Sequence, residues 1–461
     1  MLSRLNEMAS IAEELYYRSP VWLQNLLVSA YGYRLYRKRY TGDFQRILDL
    51  VRESREWNDE KIRAYQNEKL FNMVRHCRQQ VPYYQRCFAE WGVHETDITS
   101  TSDLTKLPVL TKQALRADPD SFKTPGNPGF MTQHTSGSTG TPLELEVNEL
   151  TYKLAMALVV EHEEHHGVPF GARRATFAGR MVQPSTNMKP PFARMNKAEN
   201  QKLFSAYHLN ETTFPWYRRE LDRFQPKELI GYPSAICDLA GHYRLSGISP
   251  EFQPTAIITN SETLLDWQRD IIEKVFHCPV WDYYGTAEYV LFAGQEQDRY
   301  RLNPILGVTE LLRDAESEYG IGKLIATTLT NVSMPLLRYE VGDMAKSCEQ
   351  ENSETTVTHY VNELFGRVDD YIELPDGRKI GRVDHIFKGI KEIQEAQVIQ
   401  RGVQCTINLV ISDKSHQGDL IDTVKNNFEL RTAGQLSTHI NFIEKIPKGP
   451  NGKFKSVIKI T

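Results

Sequence analysis

Between His134 and Leu143 the chain reads HTSGSTGTPL, a stretch almost free of side-chain bulk. Gly137 and Gly140 tolerate positive φ, so the backbone there can turn its N–H groups around an anion. The hydroxyls of Thr135, Ser136, Ser138, Thr139 and Thr141 add donors for phosphate oxygens. A flexible Ser/Gly linker would have the same composition. Against that, the stretch is short and opens into Leu143-Glu144-Leu145-Glu146-Val147, which alternates as a half-buried strand does. A phosphate-cradling loop is the expectation. It is not a Walker A loop, because the Gly-Lys pairs Gly322-Lys323 and Gly452-Lys453 are followed by Leu324 and Phe454.

The elements that must position such chemistry are readable from residue 225 or so onward. Glu228-Leu229-Ile230-Gly231, Ala256-Ile257-Ile258-Thr259 and Val280 to Tyr284 are short apolar strands, with helices expected over Ala235–Leu245 and Leu264–Phe276. Ser234 is placed to cap the first of these helices. Strands separated by helices imply a parallel sheet, with ligands beyond the strand C-terminal ends. Two tight turns lie at such ends, Asn260-Ser261-Glu262 and Tyr284-Gly285-Thr286-Ala287-Glu288. Gly322 to Leu329 reads as a further strand, ahead of Arg338-Tyr339-Glu340-Val341-Gly342-Asp343. Beyond Phe365-Gly366-Arg367-Val368-Asp369-Asp370 the chain changes character. A hairpin over 372–380 turns on Pro375-Asp376-Gly377, and strands at 396–399, 406–411 and 439–443 with a helix over 419–430 make a small α+β unit.

Taken in order, these stretches resemble the adenylate-forming (AMP-forming) ligase superfamily. Thr135 to Pro142 matches its Thr-Ser-Gly-Ser/Thr-Thr-Gly-x-Pro loop. Tyr284 to Glu288 is similar to its Tyr-Gly-x-Thr/Ala-Glu motif, Arg338 to Asp343 to Arg-Tyr-x-x-Gly-Asp, and Gly366 to Ile372 to the inter-domain hinge. Pro447 to Lys453 is similar to its C-terminal Pro-x-x-x-x-Gly-Lys. "VPYY" at 81–84 and "DLTKLPVLTK" at 103–112 resemble the phenylacetate–CoA ligase branch. Within it, Arg194-Met195-Asn196, 204–208 and Gly231-Tyr232-Pro233-Ser234 resemble the proteins of capsular-polysaccharide biosynthesis.

The resemblance implies ATP and Mg²⁺ as cofactors. It assigns Tyr284 to the adenine, Thr286 to the α-phosphate, Glu288 to Mg²⁺, Asp343 to the ribose hydroxyls and Arg367 to ribose or phosphate. A carboxylate suits the ribose because it accepts two hydrogen bonds side by side. Gly285, Ser261 and Glu262 join the nucleotide set, Asp369 is the hinge pivot, and Lys453 is the catalytic lysine. Each has an ordinary alternative: a strand-end turn with a solvated glutamate, a hairpin Gly-Asp, a solvated basic tail. The order of the motifs favours the enzymatic reading. Pocket candidates for the acid are Tyr207, His208, Tyr232, Pro233 and Ser234, with Arg180 and Arg194 if the acid is polyanionic.

The implied reaction joins a carboxylic acid and ATP into an acyl-adenylate. The acyl group then passes to an amine, as on a surface-polysaccharide sugar, or to a thiol such as CoA. An inactive relative serving as a scaffold is the reading from another class. The implied fold is α/β: residues 1–366 form a large domain of helix-flanked mixed and parallel sheets, with a helical lead-in over 1–95. Residues 367–461 form a small mobile α+β lid.

Bulk properties agree with this frame. At 461 residues the chain is long enough for more than one domain. A net charge of −4 gives no global pull toward nucleic acid. Six cysteines without a CxxC pair suit a reducing compartment, hence a cytoplasmic protein, and 291–306 lacks Cys and His, so no zinc is expected. No run approaches the roughly 18 apolar residues of a membrane span. The aromatic and basic stretch Tyr31–Tyr40 is expected in a helix packed on its own domain rather than on a membrane.

Overall fold

Glu228–Gly231 is buried along its whole length, as an apolar run covered on both faces must be. The structure, a computed structural model, describes residues 14–134, 143–178, 182–184, 186–313, 320–348, 353, 355–367, 372–375, 379–380, 383–387, 390, 392–411, 417–432, 434–447 and 455–460. The chain divides into two compact units, each discontinuous in sequence. One holds residues 1–29, 172–280 and 366–461; the other holds 30–171 and 281–365.

In the first unit, strands Ala256–Asn260, Glu228–Gly231, Arg174–Ala178 and Gln201–Ser205 lie side by side in that order, all parallel, with Ala193–Asn196 antiparallel at the edge. Helices Phe214–Phe224, Pro233–Ser246 and Asp266–Phe276 connect them. Their apolar faces meet the sheet in a core that includes Leu229, Ile257, Ile236, Leu239, Tyr217 and Phe276. Each such fully buried side chain contributes about 1.5–3 kcal/mol of transfer free energy. Gly231 is obligatory for packing: a Cβ there would lie 1.9 Å from the Phe177 carbonyl oxygen. The expected parallel sheet is present, but Ser234 is not the helix cap. Tyr232 is the N-cap and Pro233 the first helical residue, where its missing N–H costs nothing.

The same unit carries a four-stranded sheet ordered Ser437–Phe442, Gln404–Ile411, Ile393–Arg401, Val457–Lys459. The helix Gln417–Thr432 runs beside it, and Val398, Ile407, Leu409, Val424 and Phe428 share its core. The hairpin expected on Pro375-Asp376-Gly377 pairs Ile372 with Ile380.

The second unit is built on an antiparallel sheet. Its strands run in the order Thr355–Val357, Gly307–Leu312, Ile321–Thr328, Tyr339–Ser347, Tyr360–Arg367, Arg299–Leu302, Phe292–Glu296, Val280–Gly285. Helix Asp59–Gln80 is capped by Asn58, whose side chain accepts from Lys61 N at 2.9 Å. Pro82 ends it as expected, and also opens the next helix, Pro82–Trp91. Leu70, Val74, Tyr84, Phe88, Phe122, Leu324 and Tyr339 form one core. The strand expected over 143–147 is Glu144–Val147, paired with Met131–His134. The run Leu107–Leu110 is stitched to the sheet by Leu110 N to Arg338 O and Glu340 N to Leu110 O, both 2.9 Å. Thr111 then caps the helix Lys112–Ala117.

Helix Val21–Tyr40 packs less completely than the sequence led us to expect. Trp22, Leu26, Leu27, Tyr31 and Tyr33 are all exposed. Among the described residues no helix is long and apolar enough to cross a membrane.

Candidate active site

In the second unit, the strand Val280–Gly285 ends in the turn that bears Thr286 and Glu288. Thr286 closes that turn, its N–H bonding Leu291 O at 3.3 Å and its hydroxyl accepting from Val290 N. Tyr289, at φ +55, reverses the chain immediately after Glu288. Glu288 is buried, and its Oε1 receives Lys112 Nζ at 3.1 Å and Tyr339 OH at 2.9 Å. Burial, with the Glu288 carboxylate alongside, pushes the Tyr339 phenol well above its ordinary range, so it stays a donor. Gly342 at φ +93 turns the chain into Asp343, 59 residues beyond Tyr284, and the Asp343 carboxylate accepts from Tyr284 OH. The structure therefore brings together Tyr284 and Asp343, the residues assigned to base and ribose, one strand turn from Glu288.

A divalent cation fits the residues present in one respect. Mg²⁺ takes few protein carboxylates and keeps phosphate and water ligands. Glu288 is one carboxylate, oriented by two donors on a single oxygen, which leaves Oε2 as the atom through which a cation would be met. Among the described residues no group of three metal-ligating side chains exists. Arg338 does structural work instead: it is buried, pairs with Glu310 and donates to Leu107 O at 2.6 Å.

In the first unit, the parallel register aligns the strand ends: Ala178 faces Ser205, Phe177 faces Gly231, and Gly231 faces Thr259. The segments bearing Tyr207, Tyr232, Ser234, Ser261 and Glu262 therefore leave one edge together. Glu262 Oε2 accepts from Ser234 N at 3.2 Å, tying two of these segments, while Ser261 at φ +69 turns its hydroxyl onto Asn260. Ser234 Oγ is buried and has no hydrogen-bond partner among the described residues. Tyr207 and Tyr232 are half-buried.

Two pocket candidates are corrected. His208 is fully buried, with Nδ1 2.7 Å from Ser205 Oγ and Nε2 3.0 Å from Pro184 O. Because the Pro184 carbonyl can only accept, Nε2 carries the proton and Nδ1 accepts from the Ser205 hydroxyl. Both ring nitrogens are thereby used within the protein. Arg194 is likewise buried, donating to Gln24, Pro191 O and Ala193 O. The loop Thr135–Thr141, Arg180, Asp369 and Lys453 lie outside the described residues, as does the side chain of Arg367.

Lys112 and Tyr339 were not assigned roles from sequence. Lys112 stands 176 residues from Glu288, and no local pattern links them. The available signals are that Lys112 ends the stretch DLTKLPVLTK, directly after its helix cap Thr111, and that Tyr339 lies within the Arg-Tyr-x-x-Gly-Asp stretch.

Residues 372–460 match the CapK C-terminal domain family. Protein CapK of Staphylococcus aureus is 29% identical over 457 residues, covering 96% of this chain and 98% of that protein. A phenylacetate-coenzyme A ligase of Aromatoleum evansii is 36% identical over 319 residues, covering 63% of this chain and 67% of the enzyme. The fold is similar to that of 2-hydroxyisobutyryl-CoA ligase, solved in its postadenylation state with R3-HIB-AMP. The TM-score is 0.66 at 17% identity, over 86% of this chain and 89% of that one. The motif order, the site geometry and these relatives together place the chain in the adenylate-forming ligase superfamily, in its phenylacetate–CoA ligase-like branch with CapK, as an AMP-forming ligase.

Proposed function

We propose that this ligase activates a carboxylic acid with Mg·ATP and delivers the acyl group to an amine acceptor in surface-polysaccharide biosynthesis. The observation that carries the nucleotide assignment is the Tyr284–Asp343 contact, which joins two separate motifs at one place. In the proposed site Asp343 accepts from the ribose hydroxyls while Tyr284 covers the base and holds the carboxylate in position. The loop Thr135–Thr141 cradles the β- and γ-phosphates, Thr286 meets the α-phosphate, and Arg367 meets ribose or phosphate. Glu288 would hold Mg²⁺, which when bound neutralises phosphate charge. A carboxylate oxygen of the acid attacks the α-phosphorus and pyrophosphate leaves. The Lys453 ammonium stabilises the negative charge that builds between them. Residues 367–461 act as the lid that brings Lys453 in, with Asp369 as pivot. Closure excludes water from the mixed anhydride. The acid enters at the strand edge that carries Tyr207, Tyr232 and Ser234, with Arg180 as a further contact.

The amine reading is supported by the resemblance of Arg194-Met195-Asn196, 204–208 and Gly231-Tyr232-Pro233-Ser234 to the proteins of capsular-polysaccharide biosynthesis. A second reading, acyl transfer to the thiol of CoA, is supported by the 36% identity to a phenylacetate-coenzyme A ligase. The scaffold reading is disfavoured by the retention of Glu288, Asp343, Arg367 and Lys453. ATP–pyrophosphate exchange across aromatic acids, amino acids and uronic acids tests adenylation and identifies the acid. Supplying CoA or amino sugars to the productive pair then separates thioester from amide. Absence of exchange with every acid, in protein that binds ATP, would overturn the enzymatic proposal.

A further inference from the structure

The aromatic and basic stretch Tyr31–Tyr40 takes no part in the site above, yet it lines a cleft of about 440 Å³ within the second unit. Arg34, Arg37 and Lys38 stand on one wall; Phe130, Glu149 and Lys153 stand on the other. Among the described residues four cations thus face one carboxylate, and that carboxylate is already committed: Glu149 Oε1 lies 2.6 Å from Lys153 Nζ. Lys38 sits over the Phe130 ring, 5.1 Å from its centroid, rather than on an acid. Arg34 and Arg37, one helical turn apart, have no ion-pair partner among the described residues. Cations held together without counter-charge repel one another, so the cleft carries a standing positive potential.

Both the size and the donors of the cleft indicate what relieves that potential. The volume is that of a small-ligand site. A lone carboxylate would satisfy one cation, whereas a phosphate or diphosphate offers several charged oxygens to two guanidinium forks and an ammonium. A series of ring contacts leads from the wall of the cleft to the turn that bears Glu288. Phe130 directly precedes the strand Met131–His134, its ring lies 5.9 Å from Tyr152, and Tyr152 lies 6.3 Å from Tyr289, the neighbour of Glu288. We propose that this cleft binds a ligand through a phosphate or diphosphate group, carried either by a soluble molecule or by a lipid headgroup.

The full chain and an R34E/R37E variant, matched for thermal midpoint, are compared in two arms. In the first, inorganic pyrophosphate is titrated calorimetrically; in the second, phosphatidylglycerol and phosphatidylcholine vesicles are used in cosedimentation. The expected result is a binding event weakened by about tenfold or more in the variant, as loss of even one close charge contact implies. ATP-dependent pyrophosphate exchange should stay within about twofold of wild type, because neither arginine belongs to the adenylation site. Loss in the pyrophosphate arm assigns a soluble source, and loss confined to phosphatidylglycerol assigns a headgroup. Equal behaviour of wild type and variant in both arms overturns the proposal. If the double reversal does not fold, R37A in the same two arms decides with the same outcomes.

Discussion

At the scale of single residues the buried carboxylate of Glu288 is the sharpest point of the site. It is held by Lys112 and Tyr339 on one oxygen, so its orientation is set by two elements distant in sequence. Glu288→Gln keeps the shape and one acceptor but removes the charge. We expect ATP–pyrophosphate exchange to fall about 100-fold, the scale of losing one electrostatic contact to a reacting centre. The Mg²⁺ concentration for half-maximal rate should rise with it. Tyr339→Phe removes only one donor and should cost about 1 kcal/mol of stability with a milder loss of exchange. An E288Q rate equal to wild type would remove Glu288 from the metal's ligand set. The carboxylate was legible in the sequence because it ends a recognisable motif. Its two partners lie in recognisable stretches of their own, but their contact with Glu288 was not legible, because nothing local connects side chains 176 and 51 residues away to it. His208 failed as a candidate for the mirror-image reason: a histidine beside a motif looks available until its two nitrogens are found occupied by Ser205 and Pro184.

At the scale of elements, periodicity and turn chemistry located the strands well. The runs expected at 228–231, 256–259 and 406–411 form the strands Glu228–Gly231, Ala256–Asn260 and Gln404–Ile411, because each is short, largely apolar and bounded by breakers. Their neighbours could not be read in the same way. That Glu228–Gly231 lies between Ala256–Asn260 and Arg174–Ala178 depends on Gly231, whose missing side chain allows contact with Phe177. Gly231→Ala should destabilise the fold by about 1–3 kcal/mol, read as a lowered urea midpoint, since backbone must move to admit the methyl group. A second prediction concerns the helix Glu149–His165 and its C-cap. His166 stacks on Trp281 at 4.0 Å, donates to Gln295 O, and is held down to about 4 by burial, with His165 and Arg55 adding to the effect. His162, deeper still, is pushed below its ordinary range by burial, beside His166, Arg55 and His165. Between the ordinary value of 6.5 and about 4, the unfolded chain binds protons that the native His166 refuses, so stability falls as pH drops through that window. For His166 the loss between pH 7 and pH 5 should be about 1 kcal/mol, allowing for solvent that reaches the ring. His166→Gln should flatten that slope in urea unfolding, and an unchanged slope would assign the acid sensitivity elsewhere.

At the scale of the whole molecule, the proposed chemistry needs a residue from each end of the chain's motif series. Tyr284, Glu288 and Asp343 belong to one compact unit, while Lys453 lies in sequence between the strands Ser437–Phe442 and Val457–Lys459, within the stretch 372–460 that matches a family of its own. The role proposed for Lys453 is electrostatic, so its substitution is expected to separate chemistry from folding. Lys453→Ala should abolish exchange, by at least about 100-fold, while leaving the thermal midpoint and ATP binding near wild type. The second half-reaction supplies the stricter test. If Lys453 acts only in adenylation, the variant given pre-formed acyl-adenylate should still transfer the acyl group to its acceptor at close to the wild-type rate. Loss of both half-reactions would instead mean that the substitution disturbs the C-terminal unit as a whole. Retention of both would remove Lys453 from the mechanism and with it the need for these residues to close over the nucleotide. The asymmetric outcome, adenylation lost and transfer kept, follows only if one ammonium serves one transition state.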